Sequence, residues 1–109
     1  LITIDEPDLQ AVGQYPVPDR ALATVIRKLQ AAQPRAIGLD LYRDLPVPPG
    51  HADLTQVFQT TPNLVVIEHI ADPEHPAVPP PPAIAQSDQV GFNNVVHDLD
   101  DRVRRGLLY

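Results

Sequence analysis

The sequence predicts an α/β fold, a three-layer-like sandwich with a mixed sheet. It consists of a parallel βαβαβ core followed by a C-terminal antiparallel hairpin. Three observations carry this prediction. Apolar, β-branched runs recur at Leu1–Asp5, Ala36–Tyr42 and Leu64–Ile70; stretches with helical apolar spacing separate them; and the chain closes on two strand-like runs joined by turn residues. At 109 residues the chain is the size of one domain with one core, so residues 1–109 are taken as a single unit.

Each element has a local cause. Leu1 to Asp5 is read as a short first strand ending on the acidic pair Asp5-Glu6; Pro7 then suits the first turn of a short helix and Gly13 its stop. Asp19 is placed as the N-cap of a long helix, because Leu22, Val25, Ile26 and Leu29 fall at i, i+3, i+4 and i+7, and the helix must end before Pro34. Ala36 to Tyr42 is nearly continuous in apolar character and is expected to be a central parallel strand covered on both faces. Pro46, Pro48, Pro49 and Gly50 break the chain before a second long helix with Leu54, Val57 and Phe58 inward, stopped by Pro62. The third strand runs from Leu64 to Ile70.

From Ala71 the chain is rich in proline, and Pro79 to Pro82 favours polyproline II. Such a run serves either as an ordered connector or as a docking peptide; no Lys or Arg flanks it at docking spacing, so it is read as a connector. One helical turn is expected at Ala83–Ser87. Val90–Val96 and Arg102–Leu108 are read as a hairpin around His97-Asp98-Leu99-Asp100-Asp101.

Composition narrows the function. Fourteen acidic residues against eight basic ones leave a formal net charge of -6, which disfavours nucleic acid as a partner. With no cysteine there is no disulfide framework and no thiolate ligand or nucleophile. No apolar run reaches the ~18 to 20 residues of a membrane span. The chain contains 14 prolines and no methionine and opens directly on an apolar strand, so it is expected to be a piece of something longer.

In open parallel sheets ligands collect at the carboxyl ends of the strands. The ligand-binding candidates are therefore Asp5, Glu6, Asp40, Tyr42 and Asp44, with the carboxylates of Asp5 and Asp40 expected to converge on one rim. Such a rim offers oxygen ligands to magnesium or calcium, or it orders the loops through backbone N–H groups or through Asp40 pairing with Arg43 or Arg20. The second reading is preferred, and no metal, cofactor or catalytic residue is assigned; a small enzyme using Asp5 and Asp40 with a divalent cation is the alternative.

Two enzyme patterns fail on a missing partner. An aspartate-based phosphatase needs Asp-x-Asp, where this chain has Asp5-Glu6-Pro7-Asp8. A phospho-acceptor domain needs a late lysine, and Lys28 is the only lysine. His51, His69, His75 and His97 lack the i, i+2 or i, i+4 spacing that places two imidazoles on one metal. Arg102, Arg104 and Arg105 are expected to pair locally with Asp98, Asp100 and Asp101.

Taken together, several segments resemble the second family of CHASE domains, extracellular sensory modules associated with bacterial cyclases and histidine kinases. They are Ile4-Asp5-Glu6 with Leu9 and Gly13, Tyr15-Pro16 with Pro18, Ala36-Ile37-Gly38-Leu39-Asp40-Leu41, Asn63-Leu64-Val65-Val66, Val90-Gly91-Phe92-Asn93 and Asp98-Leu99-Asp100-Asp101-Arg102-Val103-Arg104-Arg105. The chain departs from the family in having Tyr15 and Val17 where a tryptophan is usual, Asp101 where a glycine usually follows the turn aspartate, and a short proline-rich loop after Tyr42. The resemblance implies a periplasmic or extracellular input domain of a membrane receptor, itself without catalysis. It would be tethered through flanking transmembrane helices to a kinase or cyclase output, would bind an unidentified small molecule, and is compatible with a homodimer.

Overall fold

The computed structural model describes residues 1–98, 100 and 102–106. Its elements in chain order are α1 (Glu6–Val12), α2 (Asp19–Ala31), β1 (Ile37–Leu39), α3 (His51–Thr60), β2 (Leu64–Glu68), a 3₁₀ turn (Pro82–Ile84), β3 (Val90–Phe92), β4 (Val96–His97) and β5 (Val103–Arg105). The three helices begin and end close to where their proline and glycine signals place them. Gly13 closes α1 at φ 72°, donating its N–H to the carbonyl of Leu9.

The sheet departs from expectation. β1, β2 and β3 form a three-stranded parallel sheet in that order, with Ile37 opposite Leu64 and Val66 opposite Val90. Leu1–Asp5 forms no strand: all five residues are exposed, with Leu1 and Ile2 packed on nothing that covers them. Val90–Phe92, expected in an antiparallel hairpin, instead extends the parallel sheet, reached by a crossover through the proline-rich segment. Among the described residues no C-terminal antiparallel strand joins this sheet. β4 and β5 make a separate two-stranded antiparallel pair, and Leu99, Asp101, Leu107 and Leu108 of the expected turn and strand lie outside the described residues.

One core serves the domain. Leu22, Ala23 and Ile26 of α2 meet Leu54, Val57 and Phe58 of α3 over Ile37, Leu64 and Val66 of the sheet, with Ile84 closing one end. Burial alternates along β2, Leu64 and Val66 being fully enclosed while Val65 is 41% exposed. Period-2 alternation is the mark of a sheet covered on one face, so the helices build two layers rather than three. Gly38 is likewise exposed, against the expectation that its strand is covered on both sides. A continuous apolar run identifies a strand here but overstates its burial, because Gly38 presents no side chain to that face.

Candidate functional site

The N-terminus of α2 and the loop between β1 and α3 are clamped together. Asp19 N–H donates to Val47 O at 2.8 Å, the Asp19 carboxylate accepts from Val47 N–H at 3.2 Å, and Arg20 N–H donates to Pro49 O at 2.9 Å. Gly50, the N-cap of α3, sits at φ 102°, and a Cβ there would fall 2.5 Å from backbone and side-chain atoms of Arg20. Only glycine fits so close an approach in a left-handed conformation.

Asp19 is therefore not the helix cap its position suggests. The N-cap is Pro18, without a side-chain bond, and the Asp19 side chain, 1% exposed, turns toward the loop. There its Oδ1 lies 3.6 Å from Nε of Arg43 and its Oδ2 3.2 Å from Nδ1 of His51. Arg43, 5% exposed at its side chain, also donates through Nη2 to the carbonyl of Val17. Burial pushes the Arg43 guanidinium below its ordinary pKa while Asp19 opposes that shift; an arginine remains charged throughout the working pH range. Asp19 Oδ1 and Arg43 Nε are enclosed and, among the described residues, have no hydrogen-bond partner.

These three side chains form the polar end of a cavity of about 310 Å³, whose apolar walls include Leu45, Leu54, Phe58 and Pro81. A buried ion pair whose Nε and Oδ1 stand 3.6 Å apart, beyond hydrogen-bond distance, lies beside apolar walls. Sequence spacing does not expose this arrangement, since Asp19 and Arg43 belong to different elements. The one legible sign is an arginine just after a strand, which the sequence pairs with Asp40 and the fold pairs with Asp19.

The sequence-predicted candidates are dispersed. Asp5 caps α1 in a reciprocal capping box, accepting from Asp8 N–H at 3.2 Å while its own N–H donates to Asp8 Oδ2 at 3.0 Å; Glu6 is exposed in the first turn. With no strand before it, Asp5 is not at a strand end. Asp40 is exposed just past β1, and Asp44 is half-buried in the loop beyond. Tyr42, 39% exposed, donates its hydroxyl proton to Asn93 Oδ1 at 2.8 Å, joining the carboxyl ends of β1 and β3. Among the described residues, the acids of this set do not form a group able to share an ion. The local pairing expected in the C-terminal segment is found at Arg104, which holds Asp98 at 3.0 Å and Asp100 at 2.6 Å.

The fold and cavity define a small two-layer α/β domain with the polar-ended cavity described above and without an assembled acid–base or nucleophilic set among the described residues. The CHASE2 domain family model matches residues 1–109, the whole chain, and the chain belongs to that family, a sensory domain family of bacterial signalling proteins rather than a catalytic one. Its members are typically extracellular sensory domains of membrane receptors; no helix among the described residues is long and apolar enough to cross a membrane. Neither the curated proteins nor the solved structures yielded a match.

Proposed function

We propose that this chain is the extracytoplasmic input domain of a bacterial transmembrane receptor, and that it reads a small amphipathic molecule bound between α3 and the Pro81–Ala83 segment. Flanking membrane spans would connect it to a kinase or cyclase output. Membership of the sensory family supports the role. The observation that carries the ligand reading is the enclosed Asp19–Arg43 ion pair, whose Oδ1 and Nε are 3.6 Å apart and make no hydrogen bond among the described residues, beside apolar cavity walls. A carboxamide or hydroxyl group that enters between them can donate to Oδ1 and accept from Nε, while an aliphatic or aromatic body fills the space lined by Leu54 and Phe58. Signalling then requires only that the ligand favour one of two packings of the loop that carries Arg43.

The test is a melting-temperature screen of small amides and alcohols with aliphatic or aromatic bodies, on the wild-type chain and on Ala83→Trp, which fills the cavity. At least one compound is expected to raise the wild-type melting temperature and to lose that effect in Ala83→Trp. A screen without a stabilising compound, or a stabilisation that survives Ala83→Trp, overturns the cavity reading.

A further inference from the structure

The loop after β2 gathers two histidines and an aspartate. His69 makes an isolated antiparallel bridge with Val78, donating its N–H to Val78 O at 2.9 Å and accepting from Val78 N–H at 3.0 Å, so residues 70–77 form a closed loop. Asp72 shapes that loop from within: its Oδ1 accepts from the N–H groups of Glu74 at 2.9 Å and His75 at 2.8 Å, and its own N–H donates to His75 O at 3.1 Å. From outside, the Asn94 amide holds Ile70 on both sides, accepting from Ile70 N–H at 2.9 Å and donating to Ile70 O at 2.7 Å. A six-residue separation that periodicity does not connect is thereby folded into contact.

The result is a three-ligand set. His69 Nε2 lies 3.3 Å from Asp72 Oδ2, His75 Nδ1 lies 3.3 Å from Asp72 Oδ1, and one ligand atom from each residue falls within 4.8 Å of the others. The two imidazoles meet edge to face with centroids 5.9 Å apart. His69 is largely enclosed, and its Nε2, 3.3 Å from Asp72 Oδ2, has no hydrogen-bond partner among the described residues. Ligand atoms at ~2.0–2.1 Å from a tetrahedral zinc stand roughly 3.3–3.5 Å apart. Each histidine already stands at that spacing from one oxygen of Asp72, His69 from Oδ2 and His75 from Oδ1, and the set of one atom per residue falls within 4.8 Å. The set also lies just past the carboxyl end of β2, the edge of a parallel sheet where ligands collect.

We propose that His69, Asp72 and His75 form a binding site for a divalent transition-metal ion of the zinc class. Two imidazoles with one carboxylate suit zinc and its first-row neighbours; magnesium and calcium prefer all-oxygen sets. Three protein ligands leave a coordination position open toward solvent, so the site suits a sensor that reads the ion itself or an anion bound through it. The site is separate from the Asp19–Arg43 cavity and does not depend on its occupant.

The test is titration of the metal-free 109-residue chain with zinc by calorimetry and with cobalt(II) by visible absorption. Expected are a 1:1 zinc isotherm, a cobalt spectrum of imidazole-ligated type displaced by zinc, and no effect of magnesium or calcium at equal concentration. His75→Ala, at an exposed position, and Asp72→Asn, which keeps an oxygen for the Glu74 and His75 N–H groups, are each expected to weaken zinc binding by at least ~10-fold. Asp88→Asn, at an exposed acid outside both sites, is expected to leave it unchanged. Absence of zinc binding, or binding that His75→Ala does not weaken, overturns the proposal.

Discussion

Arg43 Nε lies 3.6 Å from Asp19 Oδ1, and both side chains are almost completely enclosed, 5% and 1% exposed. Two elements that are separate in the chain, the start of α2 and the loop after β1, are locked by this pair together with two hydrogen bonds between Asp19 and Val47, one from the Asp19 N–H to the Val47 carbonyl and one from the Val47 N–H to the Asp19 carboxylate. Removing one charge strands the other away from water, which typically costs about 3–5 kcal/mol. Arg43→Leu and Asp19→Leu are each expected to lower unfolding free energy in urea by an amount of that order. The double variant is expected to lose clearly less than the sum of the two single variants, because no unpaired charge remains. Additive losses would show that the pair is not coupled.

Gly50 joins a positive φ to a Cβ position already occupied by Arg20. Gly50→Ala is expected to destabilise the domain by more than the ~1 kcal/mol of a simple left-handed glycine, since the backbone of α2 must also move. Thermal unfolding of the variant, with Gly13→Ala as a comparison where the added methyl meets open space, separates the steric from the conformational contribution. Equal losses at the two positions would show that the approach of Arg20 is immaterial.

The carboxyls of Asp72 and Asp100 are both held below their ordinary value of 3.8, the first chiefly by the Glu74 N–H and the second by the Arg104 side chain. A carboxyl with a depressed folded-state pKa stabilises the fold above its unfolded value, and that contribution disappears as pH falls through the folded one. Stability of the metal-free domain is therefore expected to fall as pH drops below 3.8, and Asp72→Asn is expected to flatten part of that acid limb. Carbon-13 carboxyl titration by NMR reads both groups directly; midpoints at or above 3.8 would contradict the geometry.

Asn94 is the outer clasp of the His69–His75 loop. Asn94→Ala is expected to raise hydrogen–deuterium exchange at the Ile70 amide markedly, with little change at the amides of β2 that are bonded within the sheet. Unchanged exchange at Ile70 would mean that the loop is held by the His69–Val78 bridge alone.

The boundaries of all three helices were legible because their causes lie within a few residues. Pro7 and Gly13 frame α1, Pro34 follows α2, and Pro62 follows α3. Leu54, Val57 and Phe58 reach the core as their spacing predicts, whereas in α2 the smaller Ala23 is fully buried and Val25 is 43% exposed. Helical period marks a face, but the neighbour that covers it decides where the face is centred.

Strand pairing and the site were less legible. Leu1–Asp5 has strand character but pairs with no strand among the described residues, and Val90–Phe92 joins β2 in parallel although its nearest strand-like neighbour in sequence suggested a hairpin. An acidic rim of Asp5, Glu6, Asp40 and Asp44 required that missing first strand. The histidine spacing that disfavoured a metal site is valid for one helix or one strand; a loop closed by the His69–Val78 bridge obeys no such period.

By itself the sequence determined the α/β class, the helix limits, the absence of cysteine chemistry and the likeness to CHASE domains that the family match established over the whole chain. Those properties arise from composition and from interactions across a few residues. Only the tertiary structure decided that Asp19 faces Arg43 rather than capping its helix, that one face of the sheet stays uncovered, and that His69, Asp72 and His75 meet. The reason is physical: the direction of a side chain within one turn follows from local backbone geometry, while its partner across the fold is selected by which burial and hydrogen bonding the packed core permits.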